Sequence, residues 1–185
     1  MDRRINKTKQ IMKEALTTLL EQKDIRKITV KELSQLANIN RGTFYLHYMD
    51  IYDMVDQLGN EIINEISAII EKNNALHMGA FYIPILVKIV EYLNQDMRFC
   101  KVLIGPNGDL GFLEKLKKTM MNQTYRTYKN VQLNHDQTFL RFLTCFLVSG
   151  GIGAFQEWIN EGCLTPLPDV IAPCEMVIAN GMNNL

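Results

Sequence analysis

Helical periodicity runs through this 185-residue chain and constrains its fold more than any other feature. Apolar residues recur three and four positions apart, as in Ile11, Leu16 and Leu20 of a first helix predicted over 5–22. No segment combines an alternation of period two with β-branched enrichment, as a strand would. The first 58 residues contain a single glycine, Gly42, and all five prolines lie in the later part of the chain. The sequence therefore predicts an all-α protein.

The segment after the first helix carries the signature of a helix start. Thr29 and Glu32 have the spacing of a capping box, in which the threonine hydroxyl accepts a hydrogen bond from the backbone N–H three residues on and the glutamate side chain reaches back. The helix that begins here is predicted over about 30–36, with Leu33 and Leu36 among its buried residues.

Further turn and cap signals follow directly. Asn38 tolerates the left-handed backbone that often ends a helix, so the second helix is predicted to end there. Asn40 is suited to cap a short helix over about 41–47, and Asp50 is suited to cap a long one. Together with the first amphipathic helix, the two short helices describe a helix-turn-helix that reads DNA, over about 29–48.

In such a motif, apolar side chains hold the two helices at a fixed angle, and the second helix lies in the major groove with its N-terminal residues at base edges. The apolar side chains expected to do this are Leu33, Leu36, Ile39, Phe44 and Tyr48. We expect a DNA-binding domain over 1–60, followed by a larger helical domain over 61–185.

The segment Gly42-Thr43-Phe44-Tyr45-Leu46-His47-Tyr48, followed by Met49-Asp50, resembles the N-terminal domain of the tetracycline-repressor (TetR/AcrR) family of bacterial regulators. The likeness covers about residues 5–60. Two positions depart from the family pattern: Asn38 stands in place of a turn glycine, and Ile51 stands in place of a lysine that touches phosphate. The second departure implies that one phosphate contact is lost.

The resemblance implies which residues contact DNA. Thr29 and Lys31 are expected at the phosphate backbone, and Arg41 and Thr43 at base edges, because arginine bidentate to guanine is the commonest specific contact. Tyr48 suits the core as well as a contact. The full set of predicted DNA-binding residues is Thr29, Lys31, Asn40, Arg41, Gly42, Thr43, Tyr45, Leu46, His47 and Tyr48.

The later part of the chain predicts further helices and a dimer interface. The segment Thr138–Trp158 is apolar on more than one face, and the glycines within Gly150–Gly153 would allow another helix to approach closely. Helices are predicted over about 81–94, 111–129, 136–160 and 169–183. The predicted interface residues are Phe146, Gly150, Gly153, Trp158, Met176 and Ala179.

The resemblance also implies that the C-terminal domain responds to a small-molecule effector. Residues that could line a pocket for it are Tyr82, Tyr92, Phe99, Met120, Tyr125 and Phe142, although each would equally suit an ordinary core. The stretch Met97–Asp109, with Gly150 and Trp158–Gly162, is similar to a Gram-positive subgroup that includes a dihydroxyacetone-responsive co-activator. Repressor and activator are therefore both open.

Other classes of function find little support. No Ser/His/Asp, Cys/His or paired-carboxylate grouping indicates an enzyme, and no histidine or cysteine pair indicates a metal site or a cofactor. The four cysteines are widely spaced in apolar surroundings, as expected of reduced thiols. The first ten residues lack the apolar core of a signal peptide, so we expect a cytoplasmic protein that does not enter a membrane. A protein-binding helical adaptor is the remaining alternative.

The distribution of charge favours nucleic acid. Lysine plus arginine and aspartate plus glutamate both total 20, so the net charge is zero. Residues 1–49 nevertheless hold ten basic and five acidic side chains, and 50–185 hold ten and fifteen. A head of charge +5 suits a phosphate backbone, whereas the acidic body is repelled by it. The resemblance further implies a ligand-responsive repressor that binds a palindromic double-stranded operator as a homodimer, with an activator of the same fold as the alternative.

Overall fold

The computed structural model of the protein describes residues 3–73, 82–105, 110–130 and 136–182. These residues form nine α-helices and one 3-10 helix, Ile25–Lys27, with no strand among them, so the all-α prediction is confirmed. The helices are α1 (Arg3–Gln22), α2 (Val30–Leu36), α3 (Arg41–Tyr45), α4 (Ile51–Asn73), α5 (Tyr82–Asn94), α6 (Met97–Ile104), α7 (Leu110–Asn130), α8 (Gln137–Asn160) and α9 (Leu167–Met182).

The chain divides into two compact units that are not continuous in sequence. The first unit comprises Met1–Ile62 and Asp96–Leu113, and the second comprises Ile63–Gln95 and Glu114–Leu185. The first unit therefore contains α6, a helix that the sequence analysis did not assign and that lies within the predicted second domain. The sequence also predicts a turn at the cluster Gly105-Pro106-Asn107-Gly108-Asp109 and a polar break over 73–79. Both lie mostly outside the described residues.

Ion pairs attach α6 to α1 within the first unit. The Arg98 guanidinium donates to both carboxylate oxygens of Glu21, each at 2.7 Å, and to Thr18 Oγ1 at 3.1 Å. Lys13 pairs with Asp96 just before α6, and its ammonium lies 4.6 Å from the ring centre of Phe99. The Phe99 side chain is fully buried. These contacts explain why α6 belongs to the first unit.

The caps of the first unit form as the sequence indicates. Thr29 Oγ1 accepts from the Glu32 backbone N–H at 3.2 Å, and a Glu32 carboxylate oxygen accepts from the Thr29 N–H, which completes the capping box. Asn38 adopts a positive φ of 51° after α2. Asn40 caps α3, which ends at Tyr45, two residues earlier than predicted.

The prediction that Leu36 is buried is wrong. Leu33 is completely buried and Ala37, four residues on, is buried beside it on the same face of the helix. Leu36 points away from that face, and 51% of it is exposed. The angle between α2 and α3 therefore depends on Leu33, Phe44 and the half-buried Ile39.

In the second unit, the connection between α8 and α9 is held by side chains of α8 and its end. The Trp158 indole N–H donates to the Thr165 carbonyl at 2.8 Å, and Glu161 Oε1 accepts from the Thr165 N–H at 3.0 Å. Gly162 and Cys163 both adopt positive φ, 85° and 60°, which turns the chain at the end of α8. The connection is thus a fixed turn built around Thr165.

Substitution of Leu33 and Leu36 by alanine distinguishes the two sides of α2. Leu33→Ala leaves a cavity in the core of the first unit and is expected to cost about 2–5 kcal/mol of unfolding free energy. Leu36→Ala removes a half-exposed side chain and is expected to stay within about 0.5 kcal/mol of the wild type. Urea unfolding followed by circular dichroism measures both, and equal losses would contradict the burial described here.

Candidate nucleic-acid interface

The turn between α2 and α3 is built from short-range hydrogen bonds. After the positive φ of Asn38, the Ile39 N–H donates to the Ser34 carbonyl at 3.0 Å. The Asn40 carboxamide oxygen then accepts from the Gly42 N–H at 3.0 Å and starts α3. Because each step of the turn is bonded, α3 leaves α2 in a defined direction.

Helix α3 has one buried side and one exposed side. Phe44 is completely buried and Tyr48, just after the helix, is 3% exposed, with their ring centres 5.7 Å apart. The side chains of Arg41 and Tyr45 are exposed, and 81% of Leu46 is exposed. Thr43 and His47 are half-buried. The two aromatic anchors thus present the rest of α3 to solvent.

Of the predicted DNA-binding residues, Tyr48 does not belong to the exposed side. It lies in the core with the Lys9 ammonium 5.9 Å from its ring centre. Burial, and next the negative charges of Glu61 and Asp53, raise the pKa of its phenol to about 12. A side chain so enclosed cannot reach a nucleic acid, so Tyr48 is corrected from a contact to a core residue.

Two other predicted contacts use their side chains within the protein. The Thr29 hydroxyl serves the capping box of α2 and lies 3.0 Å from a Glu32 carboxylate oxygen. The Asn40 carboxamide oxygen caps α3. Lys31, the second residue of α2, remains exposed. The side chains best placed to meet a partner are therefore those of Lys31 and the exposed face of α3.

Part of the positive charge of the head is already paired. Lys23 Nζ lies 2.6 Å from Glu32, and the Arg26 guanidinium lies 2.7 Å from Asp24. The hydrogen bond from Arg26 holds the pKa of Asp24 at about 2, and the hydrogen bond from Lys23 lowers the pKa of Glu32. Exposed basic side chains outside the ion pairs described above include Arg3, Lys7, Lys27, Lys31 and Arg41.

The start of α4 is closed by its own carboxylates. Asp50 Oδ1 accepts from the Asp53 N–H at 2.8 Å, and Asp53 Oδ2 accepts from the Met49 N–H at 2.7 Å. Ile51 is buried. Met49 and Tyr52, which sequence reasoning did not single out, are exposed apolar side chains beside this cap. Met49 and Tyr52 lie near Asp50, the residue predicted to cap this helix. Their position at an exposed helix start could have identified them from the sequence.

The residues predicted to line an effector pocket do not share one location. Tyr125 lines a cavity of about 440 Å³ between α7 and α8 in the second unit. Phe99 belongs to the core of the first unit, and 62% of Phe142 is exposed. Tyr92 and Met120 are half-buried. The Tyr82 side chain lies outside the described residues.

The predicted dimer residues divide into exposed and buried ones. Phe146 and Met176 are exposed, and a Cβ added at Gly150 or Gly153 would meet no atom within 4 Å. Trp158 is buried in its own chain and bonded to Thr165, so the structure gives it an internal role. The Ala179 side chain lies outside the described residues.

Metal-binding and membrane-spanning features are considered for residues 3–73, 82–105, 110–130 and 136–182. No group of three or more His, Cys, Asp or Glu side chains there could hold a metal ion. By length and composition alone α8 could cross a membrane, a test that core helices of soluble proteins also pass.

Comparison with known proteins points to regulators of transcription. Residues 81–178, more than half of the chain, match the family model TetR_C_8, described as a transcriptional regulator C-terminal region. A stretch of 47 residues is 40% identical to the uncharacterized HTH-type transcriptional regulator YxbF of Bacillus subtilis. That stretch is 25% of this chain and spans only 12% of the length of the relative.

Solved structures share the fold over nearly the whole chain. A fatty acid degradation regulator, FadR from Bacillus halodurans, has a TM-score of 0.72 at 14% identity, over 94% of this chain and 95% of its own. A TetR transcriptional regulator from Streptococcus agalactiae has a TM-score of 0.65 at 24% identity, over 96% of both chains. NalD of Pseudomonas aeruginosa, a secondary repressor of a multidrug efflux pump, has a TM-score of 0.71 at 14% identity, over 92% of this chain and 96% of its own.

The raised pKa of Tyr48 predicts a specific loss of stability in alkali. The folded state keeps the phenol protonated up to about pH 12, whereas in the unfolded chain the phenol titrates near 10.0. The contribution of Tyr48 is therefore complete below pH 10 and is lost as the pH rises towards 12. Unfolding free energies measured between pH 9 and 11.5 are expected to fall more steeply in the wild type than in Tyr48→Phe. Parallel curves would contradict the burial of the hydroxyl.

Proposed function

This chain belongs to the TetR family of transcriptional regulators, and we propose that it is a ligand-responsive repressor that binds a palindromic operator as a homodimer. Members of this family regulate transcription and are not enzymes. The repressor sign, the effector and the operator symmetry are the parts that we propose.

The observation that carries the proposal is the division of α3 between a buried and an exposed side. Phe44 anchors the helix in the core, while Arg41, Tyr45 and Leu46 face outward. A helix presented in this way fits the major groove, about 12 Å wide in B-DNA, with its first residues at base edges. Arg41, at the first position of α3, is therefore proposed to read a guanine.

Phosphate contacts would come from the surrounding basic residues. Lys31 and Lys27 are exposed in the same unit as α3. The lysine that the family uses at the start of α4 is replaced by a buried Ile51, and the two carboxylates there would repel a phosphate. Binding is therefore proposed to depend on the residues before and within the helix-turn-helix.

A dimer would carry two DNA-binding units, one for each half-site of a palindromic operator. Half-sites bound by such dimers lie about 34 Å apart, one turn of DNA. The exposed Phe146 and the open space over Gly150 and Gly153 support α8 as part of the interface, because small residues let helix backbones approach closely. Met176 places α9 in the same proposal.

An activator of the same fold is the second candidate. The similarity of Met97–Asp109 to a subgroup with a dihydroxyacetone-responsive co-activator favours it, whereas the likeness to NalD, itself a repressor, is a likeness of fold. Genome-wide mapping of bound DNA, combined with transcript levels in a deletion strain, decides between them. Transcripts of bound genes rise in the deletion strain if the protein represses them and fall if it activates them.

Arg41→Ala tests the proposed base contact. Loss of a bidentate arginine–guanine pair is expected to cost about 1–3 kcal/mol and to relax sequence preference at one base pair of each half-site. Lys31→Ala is the comparison, because loss of a phosphate contact weakens binding to all sequences and lowers the salt dependence by about one charge. Fluorescence anisotropy with the mapped operator and its point variants measures both.

Arg126→Ala, which removes an exposed charge from α7, is the neutral control for this pair. If Arg41→Ala keeps both its affinity and its preference, Arg41 does not read bases. If the wild type binds no DNA in a salt-dependent manner, the proposal as a whole fails and a protein-binding adaptor takes its place.

Gly150→Gln tests the proposed interface. Within the chain the new side chain meets open space, and glycine is itself unfavourable in a helix by about 1 kcal/mol, so the fold is expected to persist. Between two copies of α8 the same side chain would prevent close approach. Light scattering after size-exclusion chromatography is expected to show a mass near 21.3 kDa for the variant and twice that for the wild type.

Gly59→Ala provides the contrast, because a Cβ there would lie 2.8 Å from the Phe112 ring. That variant is expected to lose stability and to keep the dimer under conditions where it is folded. A Gly150→Gln protein that remains dimeric would exclude this part of α8 from the interface.

A further inference from the structure

The cavity between α7 and α8 has an unusual chemical lining. It has a volume of about 440 Å³, within the range of about 300–1,000 Å³ typical of small-molecule sites. Its walls include Met121, Asn122 and Tyr125 from the later part of α7, and Thr138, Arg141 and Thr144 from the first half of α8. All of these residues belong to the second unit. Apolar and polar groups thus meet around one charged side chain.

The charge in this lining is positive. Among the described residues of the lining, Arg141 is the ionised side chain and none is a carboxylate. None of the four ion pairs found among the described residues involves Arg141. Its guanidinium lies 5.0 Å from the ring centre of Phe142, a cation–π contact that limits its orientation. An arginine held in this way suits a planar or tetrahedral oxyanion, which it can bind with two parallel hydrogen bonds.

The hydroxyl of Thr144 provides an independent observation. Thr144 is 1% exposed, and its Oγ1 has no hydrogen-bond partner. A buried threonine in a helix ordinarily donates to the carbonyl four residues back, as Thr17 does to Lys13 at 2.8 Å. Buried polar groups without a partner are rare and costly, and they indicate a partner that is absent. The Oγ1 atom is closed to solvent in the free protein. Because Thr144 lines the cavity, rotation of its side chain to another rotamer would bring the hydroxyl to a bound molecule.

The start of α8 adds a favourable field. Thr138 lies in the first turn of this 24-residue helix, where the helix dipole favours negative charge. One of the free N–H groups there is already used, because Asp136 Oδ1 accepts from the Phe139 N–H at 2.7 Å. The Asp136 carboxylate also offsets part of that field, so the site is defined by Arg141 and not by the start of the helix.

We infer that this cavity binds a small organic oxyanion, whose carboxylate or phosphate pairs with Arg141 and accepts a hydrogen bond from Thr144, while an apolar part packs on Tyr125 and Met121. The inference rests on the proposed function, since it names the chemical class of the effector. Anion binding would join α7 to α8 and so favour one arrangement of the second unit over others.

Three aromatic probes, of which benzoate and benzamide share one shape, test the charge requirement on the full-length protein without DNA. Benzoate and phenyl phosphate each carry an oxyanion on a ring, and benzamide replaces the carboxylate of benzoate by a neutral amide. Calorimetric titration is expected to give at least tenfold tighter binding of an oxyanion than of benzamide, because hydrogen bonds between charged groups are about twice as strong as neutral ones. Preference for benzoate over phenyl phosphate, or the reverse, identifies the kind of oxyanion.

Two variants locate the binding. Arg141→Gln is expected to weaken oxyanion binding about tenfold or more and to leave benzamide unchanged. Arg126→Gln on α7 is the matched control and is expected to bind as the wild type does. Thr144→Val is expected to weaken oxyanion binding about threefold to tenfold while the free protein melts no lower, because the lost hydroxyl had no partner. Thr17→Val, which breaks an existing hydrogen bond, is expected to lower the melting temperature and leave binding unchanged.

The inference is overturned if neither oxyanion binds better than benzamide at millimolar concentration, or if Arg141→Gln binds them as the wild type does. Operator binding measured on the same preparations separates the two proposals. If the protein binds DNA but no oxyanion, the proposed function stands and this inference is wrong. A protein that binds the oxyanion through Arg141 but no DNA keeps the site and loses the regulatory role.

Discussion

The burial of Phe44 is the interaction on which the position of α3 in the DNA-binding region depends. Helix α3 has five residues, too few to be stable in isolation, so its position comes from the side chain that it inserts in the core. The Tyr48 ring packs 5.7 Å away and fixes the chain where it leaves the helix. This aromatic pair fixes the orientation of α3 and of the residue that follows it. It thereby determines where exposed side chains such as those of Arg41 and Leu46 point.

Ion pairs between α1 and the region of α6 also constrain the geometry of the first unit. Arg98 bridges α6 to α1 through Glu21, and Lys13 does the same through Asp96. Exposed ion pairs of this kind contribute little to stability. Their effect is on geometry, because each joins helices that are distant in sequence. The separate pairs of Lys23 with Glu32 and of Arg26 with Asp24 neutralise part of the positive charge of residues 1–49.

Features that depend on neighbouring residues could be predicted from the sequence, whereas contacts between residues far apart in the chain could not. The capping box at Thr29, the left-handed Asn38 and the cap at Asn40 each depend on a few neighbouring residues, and all three form as predicted. Leu36 was misplaced because a seven-residue helix is too short for periodicity to define its buried face. The assignment of α6 to the first unit depends on Arg98 meeting a residue 77 positions away, which no local pattern contains.

The chain leaves the first unit after Ile62, returns at Asp96 and leaves again after Leu113. The first unit thus includes residues far beyond position 60, where the sequence predicts that the DNA-binding domain ends. A fragment cut there would lose α6 and uncover the surface on which Phe99 is buried. Transplanting the first unit into a relative would therefore require both of its segments, Met1–Ile62 and Asp96–Leu113, to be moved together.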